Sequence, residues 1–173
     1  MTGAMSNSAE AYRQIALDLA CVEASHDGPL GLHVTGYSMI PLLRPGDVVM
    51  AQPVEWHRLC RGDLVVVRRP DDVITHRLVA VGEQDYLTKG DNCCSADAPV
   101  SPAAILGRVV AIERGNVRVD LQGRRWTWVN RWLGKVGWWE VCAARRIGPA
   151  LKRPIHLFFR ALTRLMLFLP LGV

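Results

Sequence analysis

The spacing of apolar positions changes several times along this chain, and each change marks a predicted element. Tyr12, Ile15, Ala16, Leu19 and Val22 recur at helical spacing, which predicts an amphipathic helix over residues 8–24. Asn7 or Ser8 can cap it, with Glu10 as a capping-box partner, and His26-Asp27-Gly28-Pro29 ends it. From residue 31 short β-rich runs take over. They are Leu32–Thr35, Asp47–Ala51, Leu64–Arg68, Val73–Val81, Tyr86–Thr88, Ile105–Arg114 and Val117–Leu121. Turn signals such as Arg44-Pro45-Gly46-Asp47, Arg61-Gly62-Asp63 and Gly115-Asn116 separate them. Seven strands this short predict a compact, mostly antiparallel β domain.

After residue 124 the pattern changes again. Trp126, Trp128, Trp132, Trp138 and Trp139 fall among Arg and Lys. Residues 154–169 then read as a helix whose narrow polar stripe is His156, Arg160, Thr163 and Arg164. The expected architecture is mainly β (α+β): an N-terminal helix over 1–28, a β domain over 29–123, and a basic, Trp-rich helical tail over 124–173.

Charge sharpens this division. The net charge is +5 overall, yet residues 1–123 hold 11 Lys/Arg against 15 Asp/Glu, whereas residues 124–173 hold 10 Lys/Arg and one acid, Glu140. An acidic body has the wrong sign for nucleic acid. No run of about 18 apolar residues is free of charge, so no membrane span is expected. The N-terminus lacks the basic-then-apolar pattern of a secretory signal. The five cysteines, Cys21, Cys60, Cys93, Cys94 and Cys142, form no CxxC pair, which argues against zinc and for a reducing compartment. Tryptophan beside basic residues suits a membrane interface, so the tail is expected to meet a membrane surface.

Three segments carry candidate chemistry: Thr35-Gly36-Tyr37-Ser38-Met39-Ile40-Pro41, then Thr75-His76-Arg77, then Thr88-Lys89-Gly90-Asp91-Asn92 continuing to Asp97. A serine hydroxyl needs an adjacent base to act as a nucleophile, histidine can supply one near neutral pH, and a carboxylate can fix the imidazole tautomer. Ser38, His76 and Asp91 or Asp97 would provide these groups. Taken singly, Ser38 reads as a turn serine, His76 as a solvent-facing strand histidine, and each aspartate as a loop residue bonding its own backbone.

Read together, the segments resemble the boxes of the signal peptidase I family and of the wider serine-protease superfamily that includes the LexA-type self-cleaving repressors. Ser38-Met39 with Pro41 resembles the nucleophile box, and Gly46-Asp47-Val48-Val49 the strand after it. His76 stands where bacterial signal peptidases and LexA-type proteins carry a lysine base, which resembles the Ser-His type of archaea and the endoplasmic reticulum. Gly90-Asp91-Asn92 and Asp97 resemble that type's acidic box, and Gly107-Arg108 its closing strand.

The resemblance covers about residues 30–115. It implies a peptidase fold, Ser38 as nucleophile and His76 as general base. Asp97 is its first choice, and Asp91 its second, to orient the imidazole. The Ser38 amide would serve the oxyanion, Tyr37 and Met39 would contact substrate, and no cofactor or metal is called for. Two departures stand out. Gly36 occupies the position of a serine in bacterial relatives, and the apolar anchor of membrane-bound members is not seen. Lys89 lies beside the acidic box, where a structural ion pair accounts for it.

The expected function is a serine endopeptidase that cleaves a leader or signal segment from a peptide or preprotein. It would be associated with a membrane through residues 124–173 and otherwise cytoplasmic. A cytoplasmic leader peptidase of a modified-peptide pathway and a non-catalytic peptide-binding module are the alternatives. A DNA-binding repressor is disfavoured, because about 30 residues before Leu32 are too few for a helix-turn-helix domain.

Overall fold

A computed structural model describes residues 29–70, 72–146 and 149–171. The helix expected over residues 8–24 lies outside the described residues. All seven expected strands form, with ends shifted by no more than two residues. They are β1 (Leu30–His33), β2 (Val48–Gln52), β3 (Leu64–Arg68), β4 (Val73–Val81), β5 (Tyr86–Lys89), β6 (Ile105–Arg114) and β7 (Val117–Asp120). Two helices follow, α1 (Arg124–Arg146) and α2 (Pro149–Leu171).

The strands make one antiparallel sheet in the order β1-β2-β6-β3-β4-β5. The ten-residue β6 is its spine. One edge of β6 pairs with β2, and the other with β3 through its first half and β7 through its second. Three register shifts, at Met50/Ala51, Val66/Val67 and Leu78/Ala80, interrupt the ladders. Such bulges bend a strand and increase its twist.

Alternation along the strands gives the sheet two apolar faces. Leu59, Val65, Val67, Leu78 and Tyr86 form one buried cluster. Leu64, Val66, Val49 and Ile112 belong to a larger cluster on the other side. That larger cluster also holds Leu42 and Leu43 from the turn after β1, Trp126, Val129 and Leu133 from α1, and Leu167 from α2. The helices are thus walls of the same core as the sheet. The expected helical tail forms as two helices: the Trp-rich stretch is one continuous helix, and α2 begins before residue 154.

Glycines set how closely α1 approaches. A Cβ on Gly62 would lie 2.2 Å from the Asn130 carbonyl oxygen, and one on Gly134 would lie 2.5 Å from the Gly62 nitrogen. Gly62 also sits at φ +103°, in the region side chains avoid. On the outer surface of α1, Trp128 stands 5.9 Å from Trp132, and Trp132 stands 6.4 Å from Trp139. The Lys135 ammonium lies 4.9 Å from the Trp132 ring. Trp128 and Trp139 are each about half exposed, and Leu157, Phe158 and Leu165 of α2 are exposed as well. No helix among the described residues is long and apolar enough to cross a membrane.

Gly62→Ala is expected to lower unfolding free energy by about 2–4 kcal/mol, since it combines a forbidden φ with a clash against helix backbone. Urea denaturation of the two proteins measures this, and a difference under ~0.5 kcal/mol would contradict the close packing.

Candidate active site

The site is built on the β4–β5 hairpin and braced against the turn that follows β1. Adjacent residues of a strand point to opposite faces. His76 pairs with Val65 and Leu78 with Thr88, so His76 and Thr88 share one face. Arg77 pairs with Leu64 and Lys89, which places Arg77 and Lys89 on the other face, toward α1.

On the first face the His76 Nε2 lies 3.0 Å from the Ser38 Oγ, and the Nδ1 lies 2.6 Å from the Asp97 Oδ2. The same Oδ2 accepts the Thr88 hydroxyl at 2.7 Å, and the Asp97 Oδ1 accepts from Arg69 at 2.7 Å. The Asp97 amide also donates to the Thr88 carbonyl at 2.9 Å, which ties the loop to β5. With Asp97 accepting at Nδ1, the neutral imidazole carries its proton there. Nε2 is then free to accept from Ser38. His76 is buried rather than facing solvent on its strand.

Burial pushes the Asp97 carboxyl up, but the His76 and Thr88 hydrogen bonds and the Arg69 charge outweigh it. Its pKa therefore lies below the ordinary carboxylate value. Asp97 is therefore held in its ionised form at neutral pH.

The second expected aspartate is placed differently. Asp91 takes a bidentate ion pair from Arg77, with Nε to Oδ1 at 2.8 Å and Nη2 to Oδ2 at 2.7 Å. Arg77 has 0% exposure, and its Nη1 donates to the Gly62 carbonyl and the Asn130 Oδ1. Asp91 is therefore the counter-charge of a buried guanidinium and makes no hydrogen bond to His76. Met39, expected to meet substrate, is 2% exposed and joins the larger core cluster. Its sulfur accepts the Asp91 amide at 3.3 Å, so it holds the Ser38 turn from beneath. Tyr37 is 67% exposed beside Ser38 and is open to a ligand.

The Ser38 turn is held by the Gly90 loop. The Asn92 amide donates to the Ser38 carbonyl at 2.7 Å, and its side chain donates to the Tyr37 carbonyl at 3.1 Å. A Cβ on Gly90 would lie 2.7 Å from that Ser38 carbonyl oxygen, so only glycine permits the approach. The Ser38 amide meets no acceptor among the described residues. Among the described residues nothing lies within 4 Å of a Cβ built on Gly36. Cys93 lies in the Gly90 loop, and burial pushes its thiol up, away from the reactive thiolate.

The family model for Peptidase S24-like proteins matches residues 2–110, which includes all three candidate segments. The chain belongs to the Peptidase S24-like family. No curated protein and no solved structure gives a significant match. Membership implies a serine-type peptidase domain of the LexA and signal peptidase superfamily. The match ends inside β6, so β7, α1 and α2 of this S24-like chain lie beyond it.

Sequence reasoning missed three partners: Arg69, Thr88 as a second donor to Asp97, and Asn130. Arg69 sits in a turn rich in charge, and Asn130 lies 53 residues from Arg77. No local signal distinguishes either.

The two aspartates should separate experimentally. Asp97→Asn is expected to cut turnover by about 10³–10⁴-fold with a small stability change, because it favours the wrong imidazole tautomer. Asp91→Ala is expected to cost about 3–5 kcal/mol of stability, because it strands the Arg77 charge. Steady-state kinetics and urea denaturation on both variants read this, and the reverse pattern would exchange their roles. The lowered pKa of Asp97 also stabilises the fold above the ordinary carboxylate range. That contribution is lost as pH falls through the folded-state value. Asp97→Asn should therefore flatten the acid limb of the stability profile measured by thermal melting.

Proposed function

We propose that this S24-like chain is a serine endopeptidase of the Ser-His type, cleaving a leader or signal segment from a peptide. The observation that carries the reading is the Ser38–His76–Asp97 chain, at 3.0 and 2.6 Å with Asp97 ionised. Ser38 Oγ attacks the scissile carbonyl carbon while its proton moves to His76 Nε2. The Ser38 amide, which meets no acceptor among the described residues, donates to the oxyanion, a donor typically worth about 3–4 kcal/mol of barrier. The C–N bond then breaks, and His76 returns the proton to the leaving amine. Water, activated by the same imidazole, hydrolyses the acyl-enzyme.

An extended peptide is the substrate class this arrangement favours. Among the described residues β1 is an edge of the sheet and leads into the Ser38 turn, so a peptide can add beside it and present its carbonyl to Ser38. Tyr37 would border that peptide.

The stripe of exposed Trp128, Lys135 and Trp139 with half-buried Trp132 among them supports a membrane-surface role for α1. Indole rings favour the headgroup region, and basic residues favour anionic lipid. Sedimentation with anionic vesicles should carry the protein down. The Trp128→Ala/Trp139→Ala variant should lose most of that binding, and equal binding by the variant would remove the stripe from the interface.

The enzymatic reading is tested with a serine-directed active-site probe at pH 8, alongside cleavage of a panel of Ala-containing peptides. Wild type should be labelled and should cleave, whereas Ser38→Ala and His76→Ala should do neither. Wild type that leaves every peptide intact and resists the probe would turn the reading to a peptide-binding module.

A further inference from the structure

The face of the hairpin opposite the triad carries a second buried polar cluster. Lys89 Nζ lies 2.8 Å from the Glu140 Oε2, and the two side chains are 3% and 5% exposed. The other oxygen of Glu140 meets His156 Nδ1 at 2.7 Å. Glu140 is the only acid of residues 124–173, and it is spent inside the molecule, between β5 and α2. A buried ion pair is weak evidence for stability, since removing both charges from water offsets most of the attraction. Its position therefore matters more than its strength.

That position is directly behind the nucleophile turn. Lys89 also donates to the Gly90 carbonyl at 3.1 Å. Gly90 is the residue packed on Ser38, and Asn92, two residues on, holds the Ser38 carbonyl. The chain of contact runs from α1 through Glu140 and Lys89 to Gly90, and from Gly90 to Ser38. A parallel chain runs from Asn130 through Arg77 and Asp91 to Met39. Both start on α1, outside the residues that the family model matches, and both end on the turn that carries Ser38.

We infer that Glu140 is a positioning residue for the serine chemistry: through Lys89 it fixes the Gly90 loop and thereby the Ser38 turn. The α1–α2 hairpin is then part of the active-site scaffold of this chain. The inference rests on the serine-peptidase reading for its effect on rate, but the mechanical coupling it describes can be measured without catalysis.

The test compares wild type, Glu140→Leu, Lys89→Met and the double variant, all as full-length protein. The first readout is amide hydrogen exchange. Glu140→Leu strands the Lys89 ammonium, whereas Lys89→Met leaves Glu140 with His156 and removes the hydrogen bond to the Gly90 carbonyl, and in each the exchange of the Asn92 amide should quicken at least tenfold. The β2–β6 ladder amides should stay within about threefold. The double variant lacks the Lys89 hydrogen bond to Gly90 just as Lys89→Met does, so its Asn92 exchange should match that of Lys89→Met within about threefold, the non-additivity expected of two residues in one chain of contact.

The second readout is peptide cleavage, in which the single variants should lose tenfold or more in kcat with KM within twofold. The double variant should lose no more than Lys89→Met alone. The positioning role is overturned if Asn92 and ladder amides quicken together, which marks plain destabilisation. It is overturned equally if Asn92 is unchanged in both single variants, or if kcat holds while Asn92 loosens. If wild type neither cleaves nor takes the serine probe, yet Asn92 responds as expected, the serine-peptidase reading fails and the coupling from α1 to the Ser38 turn stands.

Discussion

Arg77 has no exposed surface, and a guanidinium does not give up its proton at any pH a protein survives. Its charge must be answered within the molecule, and this requirement organises the site. The answer comes from three separate segments: the carboxylate of Asp91, the carbonyl of Gly62, and the side chain of Asn130 on α1. Four donors are thereby matched in fixed directions. The Asp91 loop, the Gly62 turn and α1 cannot move independently while that match holds. The glycines that bring Gly62 and α1 within backbone contact serve the same closure.

The consequence is a division of labour between the faces of one hairpin. Strand alternation sends His76 and Thr88 one way, and Arg77 and Lys89 the other. The first pair meets Ser38 and Asp97 across a polar chain of hydrogen bonds. The second pair meets α1 through Asn130 and Glu140. A two-residue stretch, His76-Arg77, thus belongs to both the chemistry and the scaffold. This also separates the two aspartates. Asp97 reaches the imidazole from the loop after β5, whereas Asp91 is held on the guanidinium.

For an S24-like domain, this arrangement gives the C-terminal helices a part that charge alone does not suggest. Their outer surface is basic and aromatic, with Trp128, Trp132 and Trp139 in line. Their inner surface supplies Trp126, Val129 and Leu133 to the core, and Asn130 and Glu140 to the hairpin. One helix therefore faces the solvent and the back of the serine turn at once. The loop that holds the Ser38 turn is thus in contact, through Lys89, with a helix of the C-terminal pair.

The sequence by itself determined the strands and the three chemical segments. Strand identity follows from period-two alternation between turn residues, which is local information, and all seven strands formed where that pattern stood. Ser38, His76 and Asp97 were legible because their segments resemble a known set of boxes. Local pattern could not choose between Asp91 and Asp97, since both are loop acids near β5. It could not show Met39 as buried, because a methionine beside a nucleophile reads equally as cleft or core. It also could not show that the 124–173 segment closes the core. Those outcomes depend on contacts across long separations, such as Arg77 with Asn130 and Lys89 with Glu140, whose partners are fixed only when the sheet and helices pack. Burial of a charge is the physical reason: which acid must answer Arg77, and which is left for His76, is settled by where water is excluded.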